Sequence, residues 1–293
     1  MTEAGAPLPR PKVAATSLRA PSHARRAPDS ASPLFVQSVE KAMKVLTAFD
    51  GSKRQLSLSE IAAITDLDHS AAQRFTHTLA ALGCLVKDPD TRKYELSVRL
   101  LDFTYHYLAS NDLVHRAAPV LQKLAQDTED VCNLTVPDGT DIVFVLRIIS
   151  RNVMNPNVIV GSRLPAYCTA PGLAMLSTWP LEEVDDFLRR SALVKHTPRT
   201  VADPRKIKAR LARIRAAGYA HTQDELYPDD ISTAAAVLDP SARAVGALNI
   251  AVSRARWKAD RDEERYAGLV RAAAAAVSAP QRPHKRGTRG TAS

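Results

Sequence analysis

Ser70, Gln73, Arg74 and His77 recur at i, i+3, i+4 and i+7, the spacing that gathers side chains on one face of an α-helix. As a set they carry hydrogen-bond chemistry suited to base edges. An arginine forks onto guanine or clamps a phosphate, a glutamine pairs with adenine, and a hydroxyl or imidazole bonds either base or backbone. A helix entering a major groove also needs an apolar back that locks it to a scaffold, and Ala72, Phe75, Leu79 and Leu82 supply one. Taken singly, each polar residue reads more readily as a solvated position on an amphipathic helix. The ordered set is more specific.

Three elements must hold that helix. Val36, Val39, Met43 and Leu46 predict an inward stripe on a first helix from about Val36 to Phe49. Ser57 and Glu60 have the S-x-x-E spacing of a capping box, which predicts a second helix over Leu58 to Thr65. Asp66 stands where the chain must turn, a position asking for the left-handed conformation that Asp tolerates. The third helix starts near His69 and stops at Gly83. Two short strands, Cys84 to Lys87 and Arg92 to Leu96, flank the turn residues Asp88-Pro89-Asp90-Thr91 and predict a hairpin. Three helices followed by a hairpin is the order of a winged helix-turn-helix over residues 34–97. Its candidate DNA contacts are Ser57, Ser59, His69, Ser70, Gln73, Arg74 and His77, with Arg92 and Lys93 on the wing.

A linking helix is predicted over residues 98–111, and beyond it an α+β domain over residues 112–279. Asp112 caps a helix reaching Thr128. Val131–Pro137 and Asp141–Ile148 flank an Asp138-Gly139 turn, and a further strand is expected over Val153–Val160, then a loop from Gly161 to Pro165. Thr169-Ala170-Pro171 starts a helix with a cap and an early proline. Asp203-Pro204 opens another, with Ile207, Leu211 and Ile214 inward and Gly218 at its end. Strands follow near Tyr219–Gln223, Ile231–Leu238 and Ala244–Ser253, and a last helix runs from about Trp257 to Ser278.

The net charge of +9 resembles a nucleic-acid signature until it is located. Residues 1–33 carry +3 and residues 280–293 carry +4, leaving +2 for everything between. Both tails are rich in Pro, Ala, Ser or Gly and are expected to be disordered. Residues 34–98 hold eight Lys/Arg and eight acids, so nonspecific DNA affinity is expected to be modest and salt-sensitive. Cys84, Cys132 and Cys168 have no metal-ligand spacing. No apolar run spans a bilayer and the first 33 residues have no apolar core, so a cytoplasmic protein without metal or cofactor is expected.

The run Leu56-Ser57-Leu58-Ser59-Glu60-Ile61-Ala62, the helix His69 to Leu82 and the hairpin leading to Tyr94-Glu95-Leu96 resemble the DNA-binding domain of IclR-family regulators. Asp138 to Arg147, Val160 to Gly172, Gly218-Tyr219 with Asp224-Glu225-Leu226, and Ala247-Leu248-Asn249-Ile250 resemble that family's effector domain. The likeness spans residues 34–279. Within the family, Arg147 and Leu164-Pro165-Ala166-Tyr167 are most similar to regulators of aromatic-acid and β-ketoadipate catabolism. The resemblance implies a GAF-like sensing domain and a homodimer or dimer of dimers on palindromic promoter DNA.

The chain departs from that pattern at several positions. Asp66 and Gln73 stand where members often have glycine and arginine. Leu173 replaces a common basic residue, and Asp229, beside Asp230, replaces a glycine.

A sensor needs an apolar cavity with a few convergent polar groups. The helix start at Thr169 and Ala170 offers amides to a carboxylate. The resemblance places Ser232 and Asn249 on strands facing that start, with Tyr167 and Met154 as walls. Arg147 either pairs with a ligand carboxylate or serves an internal ion pair, and Ser232 and Asn249 either touch ligand or hold the sheet. Two other classes compete with an effector-controlled DNA-binding regulator. His221, Asp224, Glu225 and Cys168 are groups an enzyme uses, but no triad order, phosphate loop, dinucleotide fingerprint or metal motif accompanies them. A formally neutral winged helix also suits a protein-interaction scaffold.

Overall fold

The computed structural model describes residues 32–151, 157–258 and 260–278. The expected tails, apart from Ser32 and Pro33, and Met154 lie outside the described residues. Contacts divide the chain into two compact units, Leu34–Leu100 and Leu101 onward, in a mixed α+β architecture.

The smaller unit runs α1 (Gln37–Thr47), α2 (Leu58–Thr65), α3 (His69–Ala81), β1 (Leu85–Lys87) and β2 (Tyr94–Leu96). The capping box forms: Ser57 Oγ accepts from the Glu60 amide, and Glu60 Oε2 accepts from the Ser57 amide at 2.8 Å. Two otherwise orphaned amides are thereby satisfied at one helix start. Asp66 ends α2 at φ 55° and turns the chain into α3, where Asp68 accepts from the Ala71 amide at 2.7 Å. Gly83, at φ 75°, ends α3 in the left-handed region. An antiparallel hairpin follows, widened by a bridge from Leu56 to Tyr94.

The core of this unit is Val45, Ala48, Leu56, Ile61, Leu79, Leu85 and Tyr94. That corrects the expected inward stripe of α1. Val36, Val39 and Met43 are more than half exposed, and the helix turns Val45 inward instead. Leu82 is exposed too, while Thr76 is buried with its hydroxyl bonded to the Ala72 carbonyl. Periodicity names an apolar face without saying which of two apolar sectors a neighbour covers.

The larger unit begins with α4 (Leu101–Ala109), preceded by a 3₁₀ turn at Val98–Leu100, and α5 (Asp112–Thr128). The cap of α5 is Asn111 rather than Asp112, its side chain accepting from the Leu113 and Val114 amides. Then come β3 (Val131–Asp138), β4 (Asp141–Ile148), β5 (Arg163–Pro165), α6 (Ala170–Leu176), α7 (Leu181–Arg190), α8 (Pro204–Ala217), β6 (Ala220–Gln223), β7 (Asp230–Leu238), β8 (Ala244–Ser253) and α9 (Asp260–Val277). Among the described residues these strands form one antiparallel sheet, ordered β5-β4-β3-β8-β7-β6. The strand expected at Val153–Val160 is not seen in its described part; the chain turns at 157–162 and pairs at β5, where a loop was expected.

Two apolar layers flank the sheet. On one face Ile142, Phe144, Ala234 and Ala247 pack with α6, α7 and α8 through Leu173, Phe187 and Ile207. On the other Leu134, Val145, Val237, Leu248 and Ile250 pack with α5 and α9 through Leu121 and Val270. Each fully buried Leu or Ile contributes about 2 kcal/mol by removal from water. Helix α7 had no separate expectation, although its acids Glu182 and Glu183 at the start and Arg189 and Arg190 at the end complement a helix dipole. Gly172 lets α6 approach the chain closely, since a Cβ there would sit 2.2 Å from the Ala166 carbonyl oxygen.

Candidate functional site

In the smaller unit, α3 turns Ala72 and Leu79 to the core and leaves His69, Ser70, Gln73, Arg74 and His77 exposed. Arg92, at φ 58°, and Lys93 are exposed beside the hairpin turn, which Asp88 pins by accepting from the Asp90 and Thr91 amides. Ser59 is exposed at the start of α2. Ser57 serves as a structural cap, its hydroxyl donating to Glu60 Oε2 and accepting from the Glu60 amide.

Ion pairs take up part of the charge of this unit. Glu40 binds Lys44, Glu60 binds Lys53 and Glu95 binds Arg54. Among the described residues no acid lies within 4 Å of Arg74, Arg92 or Lys93. The pairs remove equal numbers of each sign, and the α3 and hairpin surface holds Arg74, Lys87, Arg92 and Lys93 beside Asp66, Asp68, Asp88 and Asp90, so it too is neutral in sum.

In the larger unit a cleft opens between the start of α6 and the sheet. Its apolar walls include Ile142, Phe144, Val158, Leu164 and Leu226. Across its floor runs a hydrogen-bonded chain spanning four adjacent strands. Arg147 Nη1 on β4 donates to Asn133 Oδ1 on β3 at 3.0 Å, Asn133 Nδ2 donates to Asn249 Oδ1 on β8 at 3.3 Å, and Asn249 Nδ2 donates to Ser232 Oγ on β7 at 3.0 Å. The register requires this alignment, since Asn133 pairs with Arg147 on one side and Asn249 on the other. Strand alternation sends all four side chains to the face covered by α6.

Thr169 and Ala170 also line the cleft, so Arg147, Thr169, Ala170, Ser232 and Asn249 come together as expected. Two expectations change. Thr169 is no side-chain cap, because its hydroxyl turns back to the Pro165 carbonyl at 3.0 Å. Tyr167 is not a wall of this cleft. Its hydroxyl donates to the Val194 carbonyl at 2.5 Å and accepts from the Val194 amide at 3.0 Å, and burial pushes its pKa up. Tyr167 therefore ties the 3₁₀ turn before α6 to the segment after α7.

Asn133, Asp230, Tyr227 and Thr222 line the cleft without having been assigned to it. The signal for Asn133 was a lone amide in an apolar strand, Val131-Cys132-Asn133-Leu134. Burial pushes Asp230 up to about 7, with the charge of Asp224 adding to the rise and Arg147 opposing it. The groups an enzyme would need are committed elsewhere. Cys168 is pushed up to about 12 by burial, Glu225 is bound to Arg210 at 2.6 Å, and Asp224 pairs with Arg254. His221 contacts Thr233 and Gln223 and stacks on Trp257.

A helix-turn-helix with a hairpin wing in one unit, and a polar-floored cleft in the other, define a ligand-responsive transcription regulator. Residues 38–89 match the IclR helix-turn-helix domain and residues 105–279 match the bacterial transcriptional regulator IclR C-terminal domain. The chain belongs to the IclR family of transcription regulators.

It is 30% identical over 242 residues, 82% of each chain, to the Pca regulon regulatory protein of Pseudomonas putida. A solved transcriptional regulator of Rhodococcus sp. RHA1 superposes with TM-score 0.72 at 31% identity, over 83% of this chain and 97% of that one. An IclR homologue of Microbacterium hydrocarbonoxydans, solved with 4-hydroxybenzoate, shares the fold with TM-score 0.70 at 21% identity over 82% of this chain and 97% of its own.

Proposed function

We propose that this regulator binds promoter DNA as a homodimer through the α3 stripe and that a small aromatic or keto carboxylate in the α6 cleft controls it. The observation that carries the effector reading is Arg147, a guanidinium brought to a largely apolar cleft and oriented there by Asn133. The 4-hydroxybenzoate complex of a family homologue supports the same ligand class. For DNA, Arg74 and Gln73 read base edges, Ser70 and His77 bond base or backbone, and Arg92 and Lys93 take phosphates from the wing. Pairing of two copies sets half-sites about one helical turn apart. The exposed Val36, Val39 and Met43 on α1 supply an apolar surface for that pairing.

Thermal unfolding with benzoate, 4-hydroxybenzoate, pyruvate and 2-oxobutyrate tests the effector class. A ligand at 100 times its dissociation constant stabilises its unit by about 2.7 kcal/mol, and silence across the panel overturns the class. Arg74→Ala tests the interface: operator affinity falls about tenfold or more, equivalent to about 1–3 kcal/mol, with an unchanged circular dichroism melt. Unaltered affinity in a fluorescence titration would point instead to a scaffold that meets proteins through this face.

A further inference from the structure

A second pocket, of about 320 Å³, opens at the other end of α6. The cleft floored by Asn133 and Asn249 lies at the helix start and this pocket at its last turn, and the two share no lining residue. Its apolar surface comes from Ala174 of α6, Ile214 of α8, Ala236 and Leu238 of β7, and Ala242 of the β7–β8 turn. Ala174 and Ile214 are buried while Ala242 and Gly218 are exposed, so the floor belongs to the core and the mouth to solvent. A dry cavity of about 150 Å³ already holds a benzene ring. The space here takes one ring, or a branched chain of that size, with a polar group attached.

The polar groups of the lining are Ser177, Thr178, Tyr219 and Arg215. Three of them direct their donors into the protein. Ser177 Oγ donates to the Ala174 carbonyl at 2.7 Å, Thr178 Oγ1 to the Met175 carbonyl at 2.8 Å, and the Tyr219 hydroxyl to Glu263 at 3.0 Å. Arg215 differs. Its Nε donates to the Ser177 carbonyl at 2.6 Å and its Nη2 to the Trp179 carbonyl at 2.7 Å, which fixes one edge of the guanidinium against the C-terminal end of α6. An arginine has five N–H groups, and those on Nη1 have no acceptor among the described residues. Nor does any acid among them lie within 4 Å of Arg215. The helix end offsets part of the guanidinium charge, and the rest stays beside an apolar pocket. On α9, Arg271 and the acids Glu263 and Glu264 all act on Tyr219. That side of the mouth brings no positive excess, which confines a bound anion to Arg215 and to a single charge.

We propose that this pocket is a second small-molecule site, for a compact apolar monocarboxylate whose body fills the alanine-lined floor and whose carboxylate takes the free edge of Arg215. A planar carboxylate matches the guanidinium fork, and a side chain already held by two carbonyls loses little freedom when the anion arrives. The site is independent of the cleft at the start of α6, which has its own cation in Arg147. The helix between them, Ala170–Leu176, is buried throughout and about 10 Å long. A ligand at its end therefore bears on the same helix whose start lines the cleft.

The test is calorimetric titration of the full-length protein with benzoate, phenylacetate and 3-methylbutanoate, and with benzyl alcohol as an uncharged match. Arg147→Met removes the cation of the cleft and Arg215→Met that of the pocket, while Ala236→Leu fills the pocket and leaves both cations. In the Arg147→Met protein at least one of the three carboxylates should bind at one site per chain, with benzyl alcohol about tenfold weaker or more. Adding either Arg215→Met or Ala236→Leu should weaken that binding about tenfold or more. Should Arg215→Met melt early, Ala236→Leu and the benzyl alcohol comparison carry the test.

No binding of any carboxylate to folded Arg147→Met protein overturns the proposal. So does binding that both pocket variants leave unchanged, or that benzyl alcohol equals. A changed sedimentation coefficient in Ala236→Leu with carboxylate binding intact assigns the pocket to contact between copies of the chain and overturns it too. Wild-type and Arg147→Met protein that bind carboxylate alike, at one site that Ala236→Leu abolishes, would sink the reading of the cleft and leave this one standing.

Discussion

In the Leu34–Leu100 unit, acids sit at the ends of elements and accept from amides. Glu60 is lowered to about 2 by Lys53 and by the Ser57 amide and hydroxyl, and Asp88 is lowered chiefly by the Thr91 amide. In the larger unit, Asp130, Glu225 and Asp230 lie among apolar strands and helices, and burial is the leading cause that raises each. A surface acid at a helix start satisfies donors that have no other partner and loses little hydration. An interior acid gives up its hydration, and a partner must offset that loss. Asp130 has Tyr266 at 2.6 Å and Arg256 at 3.1 Å, and Glu225 has Arg210. Asp230 has only the cleft, which is what separates a site from a structural pair.

The largest effect expected is from breaking one of the interior pairs. Arg210→Met leaves Glu225 buried without its guanidinium, and the larger unit should lose about 3 kcal/mol at neutral pH. Because Glu225 binds a proton more readily folded than unfolded, the loss should grow from pH 5 to pH 8; urea unfolding at the two values measures it, and equal losses would refute the contrast.

A smaller effect belongs to the surface cap. Ser57→Ala should lower the stability of the smaller unit by about 1 kcal/mol in the same assay. The contribution of Glu60 depends on pH at a lower range: it is complete above 4.5 and declines as pH falls towards 2. A Glu60→Gln variant should therefore differ from wild type at pH 6 and converge with it near pH 2.

The same contrast explains what could be read from the chain. In the smaller unit local signals sufficed: the Ser57/Glu60 box, the left-handed Asp66, the stop at Gly83 and the α3 stripe all appear where their spacing placed them. The exception was α1, whose two apolar sectors no local rule can rank. In the larger unit β3, β4, β6, β7 and β8 were legible from alternation and the turn at Gly139, whereas β5 forms where a loop was expected. The site was only half so. Asn133 and Asp230 acquire meaning through the pairing of β3 with β4 and β8 and of β7 with β8, contacts that no short window contains. Tyr167 was misplaced because its partner, Val194, lies 27 residues away in an irregular segment.

The link between Asn133 and Asn249 joins residues 116 apart in sequence. The middle of the sheet, and with it the floor of the cleft, is closed by the late strand β8 rather than by the early hairpin of β3 and β4. A polypeptide emerging from the ribosome completes its reading helix long before it can hold a ligand. Pairing across so long a loop is also the slow class of folding event. Each new molecule therefore has a DNA-reading unit before it has a sensor, and a small molecule that favours the native cleft acts on its maturation as well as on its finished state.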